Sequence, residues 1–163
     1  MRYYDSYESP NGRMLLVATE DGVSGVFFNG QKYFPEKEKE WRRNPEHAPL
    51  MQAKRELKEY FAGKRKRFDV ALAPDGTPFQ RAVWKAISTV GFGKTISYGE
   101  LARRAGHPGS ARAAGAATGR NPLGIIVPCH RIMGANGSLT GYAGGLDRKR
   151  ALLALEGVSR DSL

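Results

Sequence analysis

A proline-flanked segment near the middle of the chain separates two parts with different hydrophobic patterns. The segment is Pro74-Asp75-Gly76-Thr77-Pro78, and prolines and glycines at this spacing interrupt regular structure. Apolar residues before it mostly alternate, as in strands, whereas those after it recur at helical spacing. The pattern therefore predicts an α+β protein with two domains, residues 1–73 and 77–163.

The first part predicts a small sheet and one helix. Helical spacing is found from Leu50 to Phe61, and Gly63 is expected to end that helix. Ser9-Pro10-Asn11-Gly12 predicts a hairpin turn. Four segments are predicted strands: residues 2–8, 14–19, 22–28 and 68–72.

The second part predicts four helices. Thr77, Ser97 and Ser110 are expected to cap the first three at their N-termini, with Pro78 at the first helical position. The second helix is expected to reach Arg104 and the third about Gly119, and together they have the layout of a helix-turn-helix. The last helix is expected from about Asp147 to Glu156, with its inward residues Leu152 and Leu155.

Composition and charge narrow the function classes. The 163 residues are 40% hydrophobic and 26% charged, which excludes a disordered chain. No apolar run approaches the ~18 residues of a membrane span, and no apolar signal core is visible, so we expect a cytoplasmic protein without membrane contact. The formal net charge of +10 favours a polyanionic partner, most often nucleic acid.

The distribution of charge favours DNA. Residues 101–146 contain no Asp or Glu, and their cations are all arginines: Arg103, Arg104, Arg112, Arg120 and Arg131. The predicted third helix within this stretch begins Ala111-Arg112-Ala113-Ala114-Gly115, so its backbone can approach another surface closely. Tight helix packing is one interpretation, but the charge pattern favours a sequence-indifferent approach to DNA in the minor groove, with Arg112 as the probe.

The chain has one cysteine, Cys129, which follows the apolar run Ile125-Ile126-Val127 and Pro128. A lone thiol is an inert core residue, a metal ligand without partners, or a nucleophile. The adjacent His130 alone decides little, because neighbouring side chains in an extended segment point apart.

The surroundings of Cys129 favour the nucleophile. Cys129 is expected to lie in a strand, and turn-prone segments, 120–124 and 134–137, flank that strand and are expected to leave its end in a cleft. A thiolate nucleophile needs a base, and the base needs an orienting carboxylate. Of the acids after Glu100, namely Asp147, Glu156 and Asp161, Glu156 on the last helix is the best candidate in chain order.

The motif Pro128-Cys129-His130-Arg131 resembles the active-site motif of the O6-alkylguanine-DNA alkyltransferases (methylated-DNA–protein-cysteine methyltransferases). The resemblance runs in order over about residues 77–157, and it implies a ribonuclease-H-like first domain. Five further segments are similar to the family's DNA-binding, hinge, loop and last-helix motifs: Ile96-Ser97-Tyr98-Gly99-Glu100-Leu101-Ala102, Ala111-Arg112-Ala113-Ala114-Gly115, Arg120-Asn121-Pro122, Gly141-Tyr142-Ala143-Gly144-Gly145-Leu146 and Leu152-Leu153-Ala154-Leu155-Glu156.

The resemblance implies a catalytic role for four residues. Cys129 is expected to take the alkyl group from guanine O6, with His130 as a water-mediated base oriented by Glu156. Tyr142 is expected to donate a proton or hydrogen bond to guanine N3. Five further residues are expected to bind the substrate through side chains or backbone: Tyr98, Arg112, Asn121, Ile132 and Ala143.

The resemblance also implies the partner and the reaction. The expected partner is double-stranded DNA containing O6-alkylguanine, with O4-alkylthymine as a second substrate, bound by a monomer. No cofactor or metal is expected. The family's pattern can carry Ser at the position of Ala143, where the retained backbone N–H predicts a tuned substrate range. Two alternatives remain: a DNA-binding module with a structural cysteine, and a hydrolase that uses Cys129, His130 and Glu156.

Overall fold

The structure is a computed structural model that describes residues 1–37, 39–134 and 141–158. The chain forms two compact units. The first unit holds residues 1–75 together with residues 122–124, and the second holds residues 76–121 and the chain from residue 125 onward. The return of residues 122–124 to the first unit had no signal in the sequence pattern.

The first unit is built on a four-stranded sheet whose order is β3-β2-β1-β4. Three of the four predicted strands are confirmed, and they form an antiparallel meander, while a short strand that was not predicted runs parallel to the first. The bounds are β1 Tyr3–Ser9, β2 Gly12–Thr19, β3 Gly22–Phe28 and β4 Arg42–Arg43.

The predicted helix of this unit is confirmed as α1, Ala48–Phe61, which begins two residues earlier than expected. Leu50, Ala53, Leu57 and Tyr60 recur at helical spacing and are fully buried against the sheet. Gly63 follows the helix with φ 75°, a conformation that glycine adopts without steric cost.

The predicted strand over residues 68–72 is wrong. Only Leu72 forms an isolated bridge, to Val23. The buried carboxylate of Glu56 accepts the backbone N–H groups of Asp69 at 2.9 Å and Val70 at 3.2 Å. These two donors are therefore satisfied by a helix side chain rather than by a neighbouring strand.

Residues 122–124 complete the first unit at strand β3. The Val26 N–H donates to the Pro122 carbonyl at 2.8 Å, and the Gly124 N–H donates to the Val26 carbonyl at 3.1 Å. Leu123 is fully buried there. The chain on either side of this short segment, from Asn121 and from Ile125, belongs to the second unit.

In the second unit, the four predicted helices are confirmed within the described residues. Thr77 caps the first with a complete capping box to Gln80, and Pro78 occupies the first turn as predicted. Two short strands pair in parallel. The bounds are α2 Pro78–Ile87, β5 Ile96–Ser97, α3 Tyr98–Arg104, α4 Ala111–Gly119, β6 Ile132–Met133 and α5 Leu146–Leu155.

Two local predictions in this unit need correction. Ser97 caps α3 by accepting the Glu100 N–H at 3.1 Å, but Ser110 makes no side-chain cap at α4. On α5, Leu152 faces inward as predicted, whereas Leu155 is 36% exposed and Leu153 is buried instead. Across the described residues, no helix is long and apolar enough to cross a membrane.

Candidate active site

Cys129 opens a 3-10 turn, Cys129–Arg131, that leads directly into β6. The extended strand predicted for this segment is wrong, because residues 124–126 form turns and Val127 lies in a bend. The Cys129 N–H donates to the Val127 carbonyl at 2.7 Å, and the Arg131 N–H donates to the Pro128 carbonyl at 3.0 Å. Adjacent side chains therefore no longer alternate between opposite faces, which removes the objection to Cys129 and His130 acting together.

The turn before Cys129 contains a strained residue. Ile125 has φ 70°, which is a rare conformation for a β-branched side chain and costs about 1–3 kcal/mol. Its side chain is fully buried, so the surrounding core stabilises this backbone. Such strain is common at functional sites.

Asn121 ties the end of α4 to the cysteine turn. Its Nδ2 donates to the Val127 carbonyl at 2.9 Å, and the side chain is buried. A hydrogen bond from Asn121 also favours the thiolate form of Cys129. The amide thus acts both on the backbone that carries the cysteine and on its sulfur.

The Cys129 sulfur lies in a mostly apolar environment and is only 7% exposed as a residue. Burial raises the pKa of the thiol, although Asn121 and the positive charge of Lys149 lower it in part. The cysteine is therefore a thiol at rest and needs a base to become a nucleophile.

His130 and Glu156 form a fully buried pair. His130 Nε2 lies 2.7 Å from Glu156 Oε2, and both side chains are inaccessible to solvent. Because a carboxylate only accepts, Nε2 carries the hydrogen and Nδ1 carries the lone pair. Nδ1 is buried and has no hydrogen-bond partner among the described residues. Burial, more than any charge, lowers the pKa of His130, so the imidazole is neutral.

Glu156 follows the last residue of α5 and accepts several hydrogen bonds. Besides His130, the Gly93 N–H donates to Oε1 at 3.1 Å. The Arg131 guanidinium donates from Nε to Oε1 at 2.8 Å and from Nη2 to Oε2 at 3.0 Å. Both carboxylate oxygens thus accept hydrogen bonds from two separate segments of the chain, the one at Gly93 and the 3-10 turn that carries His130 and Arg131.

The position of Arg131 corrects the expectation that the arginines of residues 101–146 form one DNA-facing set. Arg131 is buried and bonded to Glu156. Arg103 and Arg104 are both paired with Glu100, whose pKa they lower to about 2. Arg112, by contrast, is exposed on the first turn of α4.

Lys149 is a site residue that the sequence interpretation missed. It is fully buried on α5, and its Nζ donates to the Ile132 carbonyl at 2.7 Å. Burial lowers the pKa of Lys149 to about 8, while the nearby Cys129 favours its charged form. A signal was present, because residues 149, 152, 153 and 156 lie on one face of a helix.

Tyr142 and Ala143 are half-buried in the loop that leads into α5. The Gly145 N–H donates to the Tyr142 carbonyl at 2.9 Å, which turns the chain into the helix. Residues 135–137 of the flanking segment and Asp161 lie outside the described residues.

Tyr98 and Arg112 lie on the helix pair α3–α4 rather than in the buried hydrogen-bond network around Cys129. Tyr98 is the first residue of α3, and its ring lies over Gly115 of α4. A Cβ at Gly115 would lie 3.6 Å from the ring, which is an ordinary van der Waals contact between the two helices. Ala114, Ala117 and Thr118 are the buried residues of α4.

Two family models match the chain almost from end to end. Residues 2–74 match the ribonuclease-like domain of 6-O-methylguanine DNA methyltransferase, and residues 78–158 match its DNA binding domain. The chain belongs to the 6-O-methylguanine DNA methyltransferase family. This membership confirms the resemblance inferred from the cysteine motif, and the α+β class with a ribonuclease-like domain followed by a mostly helical one.

Curated and solved relatives of this methyltransferase family match over nearly their full lengths. The methylated-DNA–protein-cysteine methyltransferase of Methanosarcina acetivorans is 50% identical over 95% of this chain and 98% of its own. The protein of the same name from Mycolicibacterium paratuberculosis is 46% identical over 94% of this chain and 91% of its own. The crystal structure of Mycobacterium tuberculosis OGT in complex with DNA superposes with a TM-score of 0.89. The match covers 95% of this chain and 93% of that one, at 46% sequence identity.

Proposed function

We propose that this protein repairs DNA by transferring an alkyl group from O6 of guanine to the sulfur of Cys129. Relatives that are 46–50% identical over nearly the whole chain carry the name methylated-DNA–protein-cysteine methyltransferase. The observation that carries the proposal for this chain is the buried His130–Glu156 pair beside the single cysteine. We assign the transfer and the DNA binding to the second domain, residues 77–163.

Activation of the thiol follows from the tautomer of His130. Glu156 accepts the Nε2 hydrogen, which leaves the Nδ1 lone pair available as a base. A bridging water is expected to carry the Cys129 proton to Nδ1, which is buried and polar and finds no partner among the described side chains. The positive charge of Lys149 stabilises the thiolate that forms.

The transfer is an in-line displacement at the alkyl carbon. A new bond forms between Cys129 Sγ and this carbon, and the bond from the carbon to O6 breaks. The electron pair of the broken bond leaves with the guanine ring, where Tyr142 quenches the developing charge by donating at N3. The products are unmodified guanine and a thioether that water does not readily reverse, so each protein molecule acts once.

Backbone groups near Cys129 are expected to hold the guanine. The Ala143 N–H is assigned to O6, and the carbonyls of Cys129 and Ile132 are assigned to the exocyclic amine. The Ile132 carbonyl already accepts a hydrogen bond from Lys149 at 2.7 Å. A carbonyl oxygen has two lone pairs, so one remains for the base.

The helix pair α3–α4 is proposed to bind double-stranded DNA from the minor groove without reading sequence. An alkylated base is inaccessible in the stack and must rotate out, which costs a few kcal/mol. Arg112, exposed on α4, is assigned to fill the gap, and Tyr98 to push on the adjacent phosphate. Asn121 braces the turn between α4 and Cys129. We propose that a monomer suffices, and that O4-alkylthymine is also repaired.

A labelled substrate tests the proposal directly. The protein is incubated with a duplex oligonucleotide that carries radiolabelled O6-methylguanine and is then digested. We expect label on the peptide that contains Cys129, at no more than one equivalent per protein. The Cys129→Ser variant should bind the same duplex and acquire no label.

The other outcomes distinguish the alternatives. Label released into water would instead indicate a cysteine hydrolase. Binding of the duplex without any transfer would indicate a DNA-binding module whose cysteine is structural. Label on the Cys129→Ser protein would show that a residue other than Cys129 accepts the alkyl group.

A further inference from the structure

The guanidinium of Arg131 is buried between the carboxylate of Glu156 and the backbone that follows α2. Its side chain is 7% exposed, and it meets both oxygens of Glu156 in a two-pronged arrangement at 2.8 and 3.0 Å. Its remaining Nη1 donates to the Val90 carbonyl at 2.6 Å. The Phe92 ring lies 5.9 Å from its Cζ.

This arrangement addresses a conflict in the His130–Glu156 pair. Glu156 must accept the Nε2 hydrogen to leave Nδ1 unprotonated, but an unopposed buried carboxylate 2.7 Å away also favours the imidazolium. An imidazolium has no lone pair and cannot take the proton of the Cys129 thiol. A cation on the same carboxylate removes the conflict, since it offsets the charge and leaves the hydrogen bond in place.

We propose that Arg131 is a positioning residue that offsets the charge of Glu156, so that His130 is oriented by the carboxylate and still remains an unprotonated base. The inference rests on the proposed alkyl transfer to Cys129. It assigns to Arg131 a role distinct from the DNA contact that its place in the arginine-rich stretch suggested.

The charged groups that face His130 agree with this role. Glu156 favours the protonated imidazole, whereas Arg131 and Lys149 both oppose it, and burial opposes it further. These groups come from the 3-10 turn and from α5. The segment before β5 contributes Gly93, whose neutral N–H also donates to Glu156. Cys129, the proton donor, is the remaining titratable neighbour on the turn.

A purely structural role is the alternative. Arg131 also joins the carbonyl of Val90 to the end of α5, so its loss would loosen both segments. Loosening reduces the rate at every pH, whereas loss of charge compensation moves the pH at which the rate falls. The dependence of the rate on pH therefore separates the two roles.

The experiment measures single-turnover transfer from free O6-benzylguanine to Cys129 as a function of pH. The base acts when neutral, so the rate falls as the pH drops through the pKa of His130. In Arg131→Gln the unopposed carboxylate raises that pKa, and the acid limb should move up by roughly one pH unit. Arg131→Lys keeps the charge and should keep the limb near that of the wild type.

Arg150→Gln is the matched control, because Arg150 is an exposed arginine of α5. Its profile should equal that of the wild type. A lower rate for Arg131→Gln with an unmoved acid limb would overturn the inference and leave Arg131 a structural tie. If the wild type itself does not benzylate Cys129, the proposed function fails instead, so the two failures are distinguishable.

A second measurement covers the case in which Arg131→Gln does not fold. The double variant Arg131→Gln/Glu156→Gln removes both charges of this pair, so neither is left unpaired, and the amide oxygen of residue 156 can still accept the Nε2 hydrogen. His130 is titrated by NMR in this variant and in the wild type. Charge compensation predicts midpoints within about half a unit of each other, since the pair Arg131–Glu156 then has little net effect on the imidazole. A midpoint lower by more than about one unit in the double variant would show that the carboxylate acts unopposed.

Discussion

At the scale of the residue, Lys149 is a charge held inside the second unit. It is fully buried, and its pKa is lowered from 10.5 to about 8 by burial. A buried ammonium costs free energy unless it has partners, and here it donates to the Ile132 carbonyl and lies near Cys129. Retention of such a group beside a buried thiol is typical of functional sites.

The titration of Lys149 predicts a pH-dependent stability. Between about pH 8 and 10.5 the unfolded state binds more protons at this position, so the free energy of unfolding rises with pH, by at most roughly 3 kcal/mol. Lys149→Met should remove this rise. Urea unfolding at pH 7.5, 8.5 and 9.5 measures the effect.

The measurement is best made in a Cys129→Ser background. The thiol pKa is raised by burial, so its titration in the same pH range has the opposite sign. The exposed Lys85 on α2 offers a matched control, and Lys85→Met should retain the rise. Equal slopes for the Lys149→Met and Lys85→Met proteins would contradict the buried-charge interpretation.

At the scale of the element, two glycines of the second unit differ in the space available for a side chain. Gly115 lies within α4, where an added Cβ makes ordinary contact with Tyr98 at 3.6 Å. Gly93 has φ 77°, and an added Cβ would lie 2.9 Å from the Glu156 carbonyl oxygen. The first glycine thus tolerates a side chain, whereas the second excludes one.

Alanine at each glycine tests this difference. Gly115→Ala should stabilise the protein by about 0.5–1 kcal/mol, because alanine is the better helix former. Gly93→Ala should destabilise it by about 1–2 kcal/mol from the backbone conformation alone, and more from the contact. Urea unfolding of both variants against the wild type measures the two signs. A loss of stability in Gly115→Ala would mean that α3 and α4 pack more tightly than the structure indicates.

The elements also show where prediction from the sequence succeeds. Strands β1 to β3 and helices α1 to α5 were predictable, since most of them have an apolar period of their own or local turn or capping residues. The prediction of a strand at 68–72 failed because Glu56, which is distant in sequence, accepts the backbone N–H groups of Asp69 and Val70. The prediction of a strand at Cys129 failed because an apolar run followed by proline does not distinguish a strand from successive turns.

The site was predictable in a different way. The resemblance to the alkyltransferases named Cys129, His130 and Glu156, and the structure brings the last two into contact. Arg131 and Lys149 were missed as site residues because buried charges are rare, and their partners come from other segments of the chain. A local pattern of charge cannot distinguish a surface arginine from one that a distant carboxylate holds in the core.

At the scale of the whole molecule, the net charge of +10 favours binding to DNA of any sequence. Charge alone attracts any duplex, but the proposed repair also needs the base to leave the stack. These two contributions are separable, since the proposed transfer from free O6-benzylguanine to Cys129 requires no duplex. A residue that promotes rotation of the base should therefore affect one substrate far more than the other.

Arg112→Ala tests this separation. Transfer from O6-methylguanine in a duplex should slow by roughly tenfold or more, since a few kcal/mol of unstacking is no longer offset. Transfer from free O6-benzylguanine should be nearly unchanged. Arg67→Ala removes the same charge from an exposed position in the first unit, and it should slow neither reaction comparably. Equal slowing of both substrates in Arg112→Ala would show that Arg112 supports the active site rather than the flipped base, and equal slowing in the two variants would reduce its role to net charge.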